Sequence, residues 1–471
     1  MKTNPQLILA TACILTIGTA RAVTPDGEGV VDLTDLENYA NQDVPDYITR
    51  DNTPGNNPIT DLGATLGRVL FYDRRLSRND TISCASCHRQ EHAFSDTALA
   101  STGVSGTTGR HSMRLINNRF SQDARRFWDE RATSVEDQST RPIQDHIEMG
   151  FSGTSGDPDF SDLVIKLSAI EEYRVLFLGV FGDATITEAR IQRALAQFIR
   201  SIQSFDSRYD EGRAQVAGDN VPFPNFTADE NAGKALFLAP PRPPRPGQPP
   251  MGGAGCAGCH RPPEFDIAPN SGNNGVTGSL GGGVDFTNTR SPSLRDLVGP
   301  AGESHGAFMH DGSLETLEDV VDHYNAIDGL NPGLDPRLTG GPGGQGQQLN
   351  LSAAQRDQLV AFLKTLSGEA VYEDAKFADP FDENGEISLI MMPVGEGEIA
   401  FTGSGEDRQV TVTTRGVPNV DYLLQCSTDL IDWVDIPMTA DVAGVLAATA
   451  AAPVSEKKMF FRVTYTGSAT P

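Results

Sequence analysis

Phe308–Tyr324 reads FMHDGSLETLEDVVDHY, and its spacing predicts a helix. Ser313 stands where its hydroxyl can accept a bond from one of the first free backbone N–H groups, so the helix is expected to be capped there. Leu314, Leu317, Val320, Val321 and Tyr324 recur at intervals of three and four and share one face. Tyr324 therefore turns inward with the apolar residues. Taken alone, that pattern describes a core tyrosine.

Two other stretches give the inward phenol a second meaning. Cys84-Ala85-Ser86-Cys87-His88 and Cys256-Ala257-Gly258-Cys259-His260 each carry the c-type haem attachment pattern, in which two thiols bind the vinyl groups and the adjacent histidine reaches iron. Disulfides, a zinc site and a thioredoxin-like redox pair use similar spacings. Zinc needs a more regular four-ligand cluster, and the redox pair needs a strand–helix setting that is missing here. The doubled motif points to two covalently bound haem c groups, and tyrosine is a known haem ligand. Cys426 is left over and fits a small buried residue.

The bulk properties narrow the setting. Lys2, the apolar run Leu7–Ile17 and Ala20-Arg21-Ala22 make residues 1–22 a secretory signal, with the mature chain beginning at Val23. No later segment is apolar enough to span a membrane, so a periplasmic or secreted protein is expected. A net charge of −26 makes nucleic acid a poor partner. It suits a basic electron donor, or serves solubility alone.

Taken in order, the chain predicts a mainly α protein with two cytochrome c-like haem domains followed by a small all-β sandwich. Residues 23–60 are polar and read as an extended arm. Residues 61–222 form the first haem domain, with helical segments at Leu62–Leu76, 160–181 and Thr185–Phe205. Residues 223–370 form the second, opened by the Thr227/Glu230 capping-box signal and closed by a helix after Ser352-x-x-Gln355. A Pro-rich insertion, PPRPPRPGQPPMGGAG, precedes Cys256 and reads as a stiff surface loop. Residues 371–387 read as a linker. In 388–471, Glu398–Thr402, Gln409–Thr414, Tyr422–Ser427 and Met459–Thr466 alternate as strands do.

With these motifs in place, residues from about 60 to 370 resemble the bacterial di-haem cytochrome c peroxidase and MauG-like family. The resemblance rests on CASCHRQEHAFSD (84–96), FWDERATSVEDQ (127–138), HIEMG (146–150), CAGCH (256–260), TRSPSLRDL (289–297) and the 308–324 stretch. It implies an N-terminal haem that meets hydrogen peroxide and a C-terminal haem that relays or stores electrons. It implies His88 and His260 as proximal iron ligands and Trp128 as the aromatic stepping stone between haems. Gln138, Pro142 and Glu148 match the family's distal pocket. A carboxylate there suits general acid–base work on a peroxide, and an amide suits orienting it.

Tyr324, fourteen residues after His310, stands where peroxidases of the family place methionine and MauG-like members place tyrosine. An anionic oxygen ligand favours ferric iron and higher oxidation states. His323 is a rival ligand, expected to face away. The loop near Thr102–Thr107 lacks the histidine that blocks the first haem in many members, so an open distal face is expected. His111, His305 and Ala307 stand where the family has the asparagine, threonine and proline of an inter-domain calcium site, and these replacements count against calcium. His146, beside Glu148, is read as an ordinary polar residue. Arg290 and Arg295 are expected to pair with haem propionates or to form salt bridges.

The implied function is reduction of hydrogen peroxide to water with electrons from a small cytochrome c or cupredoxin. The alternatives are MauG-like oxidation of side chains of a partner protein through high-valent haem, and a non-catalytic di-haem electron carrier.

Overall fold

The computed structural model describes residues 27, 29–242, 252–327, 331–339, 345–391, 397–452 and 458–465. The signal segment and most of the Pro-rich insertion lie outside them. Three-residue strand β1, Val30–Asp32, precedes helix α1, Asp61–Tyr72, and the hairpin of β2, Thr102–Gly103, with β3, Gly106–Thr107. Helices α2, Val135–Ser139, α3, Phe160–Ser168, α4, Glu171–Phe181, α5, Glu188–Ser201, and α6, Arg208–Ala214, complete the first half. The second half holds α7, Ala228–Leu238, the short pair β4, His260–Arg261, and β5, Asp266–Ile267, then α8, Leu317–Asn325, and α9, Ala353–Lys364.

Each half repeats one packing device. A helix preceding the haem motif crosses a helix near the end of that half: α1 against α5, and α7 against α9. Glycine lets the backbones meet. A Cβ at Gly67 would overlap the Ala194 carbonyl of α5, and a Cβ at Gly233 would overlap the Gln358 carbonyl of α9. The apolar stripe expected in 185–205 forms α5, where Ile191, Ala194, Leu195, Phe198 and Ile199 are buried behind a Thr187 cap. The helical stretch expected at 160–181 is two helices, α3 and α4. The capping boxes of Thr227 with Glu230 and Ser352 with Gln355 both form.

Two apolar cores result. One gathers Leu66, Leu70, Phe71, Phe94, Phe177, Leu195 and Phe198; the other gathers Tyr209, Phe223, Phe237, Phe265, Leu359 and Phe362. The segments read as arm and linker belong to the first core. Val31, Leu33 and Tyr39 are buried in it, as are Val371, Phe377 and Phe381. The Tyr39 hydroxyl donates to the Lys376 carbonyl. Strand β1 pairs in parallel with β6, Ser388–Ile390.

The C-terminal part is β-rich, as expected. Strands β7, Glu398–Thr402, β8, Gln409–Arg415, β9, Asp421–Ser427, β10, Val434–Thr439, β11, Val445–Ala451, and β12, Phe460–Tyr465, form two antiparallel three-stranded sheets, ordered β11-β8-β7 and β10-β9-β12. Met459, Phe461, Val463 and Tyr465 pack against the core and Cys426 is buried. The module meets α4, where Asn419 Nδ2 donates to the Gly179 carbonyl at 3.3 Å.

Helix crossing at Gly67 leaves no room for a methyl group. Replacement by alanine is expected to lower unfolding stability by about 1–3 kcal/mol through overpacking. A denaturant titration of wild type and G67A measures it.

Candidate functional site

The two Cys-x-x-Cys-His segments adopt the same local structure. Cys84–Ser86 and Cys256–Gly258 are single turns of 3₁₀ helix. The chain after each histidine turns sharply back on itself. His88 Nδ1 lies 3.0 Å from the Phe94 carbonyl oxygen, and His260 Nδ1 lies 3.3 Å from that of Phe265. Each Nδ1–H donates to a carbonyl, which leaves Nε2 with a free lone pair for a metal. Phe94 and Phe265 both sit in the left-handed region, at φ 57° and 55°.

His88 and His260 are half-buried. Desolvation lowers the pKa of His88 and pushes that of His260 down to about 4, which keeps the imidazoles neutral. Burial likewise pushes the Cys84 and Cys256 thiols up to about 12.

The cavity beside His88 has a volume of about 450 Å³, within the range of small-molecule and cofactor pockets. Cys84, Cys87 and His88 line it together with Trp128, Gln138, Pro142 and Glu148. Phe71, Leu115, Leu195 and Ile199 supply apolar walls, and Arg110, Arg126 and Arg131 supply positive charge. Arg290 Nη1 is buried without a hydrogen-bond partner among the described residues. Two thiols, an imidazole with a free Nε2, apolar walls and guanidinium groups fit a flat apolar macrocycle carrying two carboxylates.

Helix α2 presents Gln138 and is capped by Ser134, whose hydroxyl accepts from the Asp137 N–H. Glu148 sits on the turn that follows. Asp145 Oδ1 accepts the N–H groups of Ile147 and Glu148, at 2.8 and 3.1 Å. The β2–β3 hairpin holds this turn from the other side, because the Val104 and Ser105 N–H groups donate to the Glu148 and Ile147 carbonyls. No histidine occurs in the hairpin, and Gly103 is its contribution to the cavity wall. The Glu148 carboxyl is pushed up to about 7, chiefly by burial, with the Asp145 charge adding and Arg131 opposing.

Trp128 lies at the seam between the halves. Its indole N–H donates to the His111 carbonyl at 2.8 Å, and its own carbonyl accepts from Thr289 and Arg290. The His310 ring stands 6.2 Å from it, edge to face. The His111 N–H donates in turn to the His310 carbonyl. The His111 side chain is tied to the Ala98 carbonyl, with Nδ1 at 3.0 Å.

At the second motif, Tyr324 ends helix α8. Burial raises its pKa, and a hydrogen bond with the Asn274 side chain opposes the rise; Cys259 and Cys256 are near enough to act on its ionisation. Its phenol thus lies near Cys256 and Cys259. His323 is half-buried, with Nε2 2.9 Å from the Asn274 carbonyl.

The expected helix start is corrected. Ser313 does not cap α8. The Phe308 N–H donates to the Leu314 carbonyl at 2.7 Å, closing 308–314 as a loop, and Thr316 with Asp319 forms the capping box. Arg295 takes the salt-bridge alternative: it is fully buried against Asp210, with bonds of 2.8 and 2.9 Å. Arg290 pairs with Asp266 at 3.3 Å. His146 pairs with Asp157 at 2.7 Å. Asp145, Arg131, Asn274 and His310 were not singled out in the sequence. Asp145 had a usable signal, since it stands three residues before Glu148 in a turn; Asn274 lies in a Gly-rich loop without periodicity.

The family model described as di-haem cytochrome c peroxidase matches residues 62–218. The methylamine utilization protein MauG of Methylophilus methylotrophus is 32% identical over 321 residues, which cover 68% of this chain and 86% of that protein. The chain belongs to the di-haem cytochrome c peroxidase and MauG family. Cytochrome c551 peroxidase of Nitrosomonas europaea is 28% identical, across 65% of this chain and 80% of that protein. A solved MauG-like protein associated with microbial copper homeostasis superposes with a TM-score of 0.55 at 29% identity, covering 72% of this chain and 99% of that one. Membership makes the chain a haem oxidoreductase and implies haem c as its cofactor. No helix among the described residues is long and apolar enough to cross a membrane.

Asp145 bears on Glu148 through its charge, which disfavours the ionised carboxylate. Replacing Asp145 by asparagine is expected to move the Glu148 midpoint below its value of about 7. Infrared titration of the protonated carboxyl band, compared with wild type, checks the sign.

Proposed function

We propose that the protein is an exported di-haem c enzyme that reduces hydrogen peroxide to water at the His88 cavity. Electrons come from a small cytochrome c or cupredoxin, through the His260 side and Trp128. One observation carries the reading: Glu148, Gln138, Pro142 and Trp128 line a single cavity with Cys84, Cys87 and His88. Haem c held by those three residues supplies the redox-active iron. Two electrons and two protons convert each peroxide to two waters.

The protein's own part is to place the peroxide and move protons. Glu148 takes the proton from the inner peroxide oxygen and returns it to the outer one, so that water is the leaving group. A carboxyl titrating near neutrality does both at little cost. The Gln138 amide orients the peroxide and balances charge on the departing oxygen. Pro142 adds a wall without an N–H donor. The Nδ1–H bond from His88 to Phe94 fixes the imidazole that faces iron. Trp128, bonded to both halves, gives electrons an aromatic route across the seam. The acidic surface favours a basic donor. Replacing Glu148 by glutamine is expected to lower peroxide turnover by about 10²–10⁴-fold while both haem spectra persist. Unchanged turnover would remove Glu148 from the mechanism.

A second reading, oxidation of side chains of a partner protein, draws on Tyr324. Its phenol lies near Cys256 and Cys259, a position suited to the second iron. In Y324F the absorption spectrum of the second haem alone is expected to change. A spectrum identical to wild type would leave Tyr324 as a core residue and withdraw this reading.

A further inference from the structure

Glu148 is a wall of two cavities. With Arg131, Pro142 and Asp145, which it also accompanies in the His88 cavity, it lines a cleft of about 390 Å³. Arg131, Arg141, Gln144 and Asp145 are exposed at this cleft's rim, while Thr140 is buried at its floor. The cleft therefore runs from solvent to the carboxyl that borders the His88 cavity.

Its outer walls are polar and held in place. Thr140 Oγ1 and Gln144 Nε2 donate to Glu188 Oε1 at 2.9 and 2.7 Å, and Gln192 Nε2 donates to Thr140 Oγ1 at 2.9 Å. Arg141 donates to both oxygens of Asp137, at 2.8 and 3.0 Å. These side chains satisfy one another, so the passage presents fixed dipoles without a strongly binding unpaired group. Its charged groups are two guanidiniums, Arg131 and Arg141, against the carboxyls of Asp137, Asp145, Glu148 and Glu188. That balance repels small anions and admits small neutral molecules that hydrogen-bond.

Because the cleft and the His88 cavity share Arg131, Pro142, Asp145 and Glu148 as walls, we propose that this cleft is the route by which a neutral peroxide and protons reach Glu148 and water leaves. The proposal rests on the peroxide reading of the His88 cavity. It assigns the outer residues a role in access, with no part in bond breaking.

Gln144 is exposed at the rim, and cysteine there can carry a plug. In the mature holoprotein Cys13 has left with the signal, the haem-motif cysteines are consumed by thioethers and Cys426 is buried, so a bulky maleimide is directed to Q144C. Two rates are read by stopped flow on the ferric holoprotein: reaction with hydrogen peroxide, and binding of hydrogen cyanide. Unlabelled Q144C is expected to match wild type. The labelled protein is expected to lose at least about tenfold in both rates, with its haem spectrum and unfolding midpoint unchanged. The same label on S168C, an exposed position of α3 away from the cleft, is expected to leave both rates alone. Labelled Q144C with wild-type rates for both ligands would overturn the route. Slowed cyanide binding in a protein whose wild type ignores peroxide would keep the route and overturn the peroxide reading.

Discussion

The bond from each motif histidine to a phenylalanine carbonyl is the constraint on which the two metal-facing sites depend. It sets which imidazole nitrogen keeps a lone pair. The carbonyl is placed by the other end of the same residue. Phe94 and Phe265 are fully buried, the first among Phe71 and Phe377, the second among Tyr209, Phe237 and Phe362. Left-handed backbone at a bulky residue costs about 1–3 kcal/mol, and it persists where surrounding packing over-determines it. Core packing thus fixes a ring, the ring fixes a carbonyl, and the carbonyl fixes a tautomer. The device occurs in both halves with loops of different length, from His88 to Phe94 and from His260 to Phe265.

Between the halves, contacts are made by backbone as much as by side chains. His111 gives its N–H to His310 and its carbonyl to the Trp128 indole, while Trp128 gives its carbonyl to Thr289 and Arg290. A tryptophan held at its ring and its backbone has little freedom to shift within the His88 cavity wall.

Much of this was legible beforehand because the signals were local. The α5 stripe, the capping boxes at Thr227 and Ser352, and the alternation in β7, β8, β9 and β12 each depend on residues within a turn or a pleat. The haem motifs and the four residues of the His88 cavity followed from a family pattern. What escaped was set by distant partners. The cap of α8 moved from Ser313 to Thr316 because Phe308 and Leu314 close a loop first. Arg295 found Asp210, 85 residues away. The segments 23–60 and 371–387 read as arm and linker because their few apolar residues lack periodicity, yet Tyr39, Phe377 and Phe381 are core. Strand β10, VDIPMT, is broken by Asp435 and Pro437, and β11, VLAATAA, is mostly alanine, so neither shows a strong alternation.

The parallel pair of β1 with β6 acts as a clasp across almost the whole chain. A polypeptide made from its N-terminus reaches Val30 early, but that strand has no ladder until Ser388–Ile390 exists. The Tyr39 hydroxyl likewise waits for Lys376. Both Cys-x-x-Cys-His segments are synthesised before the clasp can shut. The first core therefore stays incomplete until residues beyond both segments have been made, and the order of residues along the chain sets that timing.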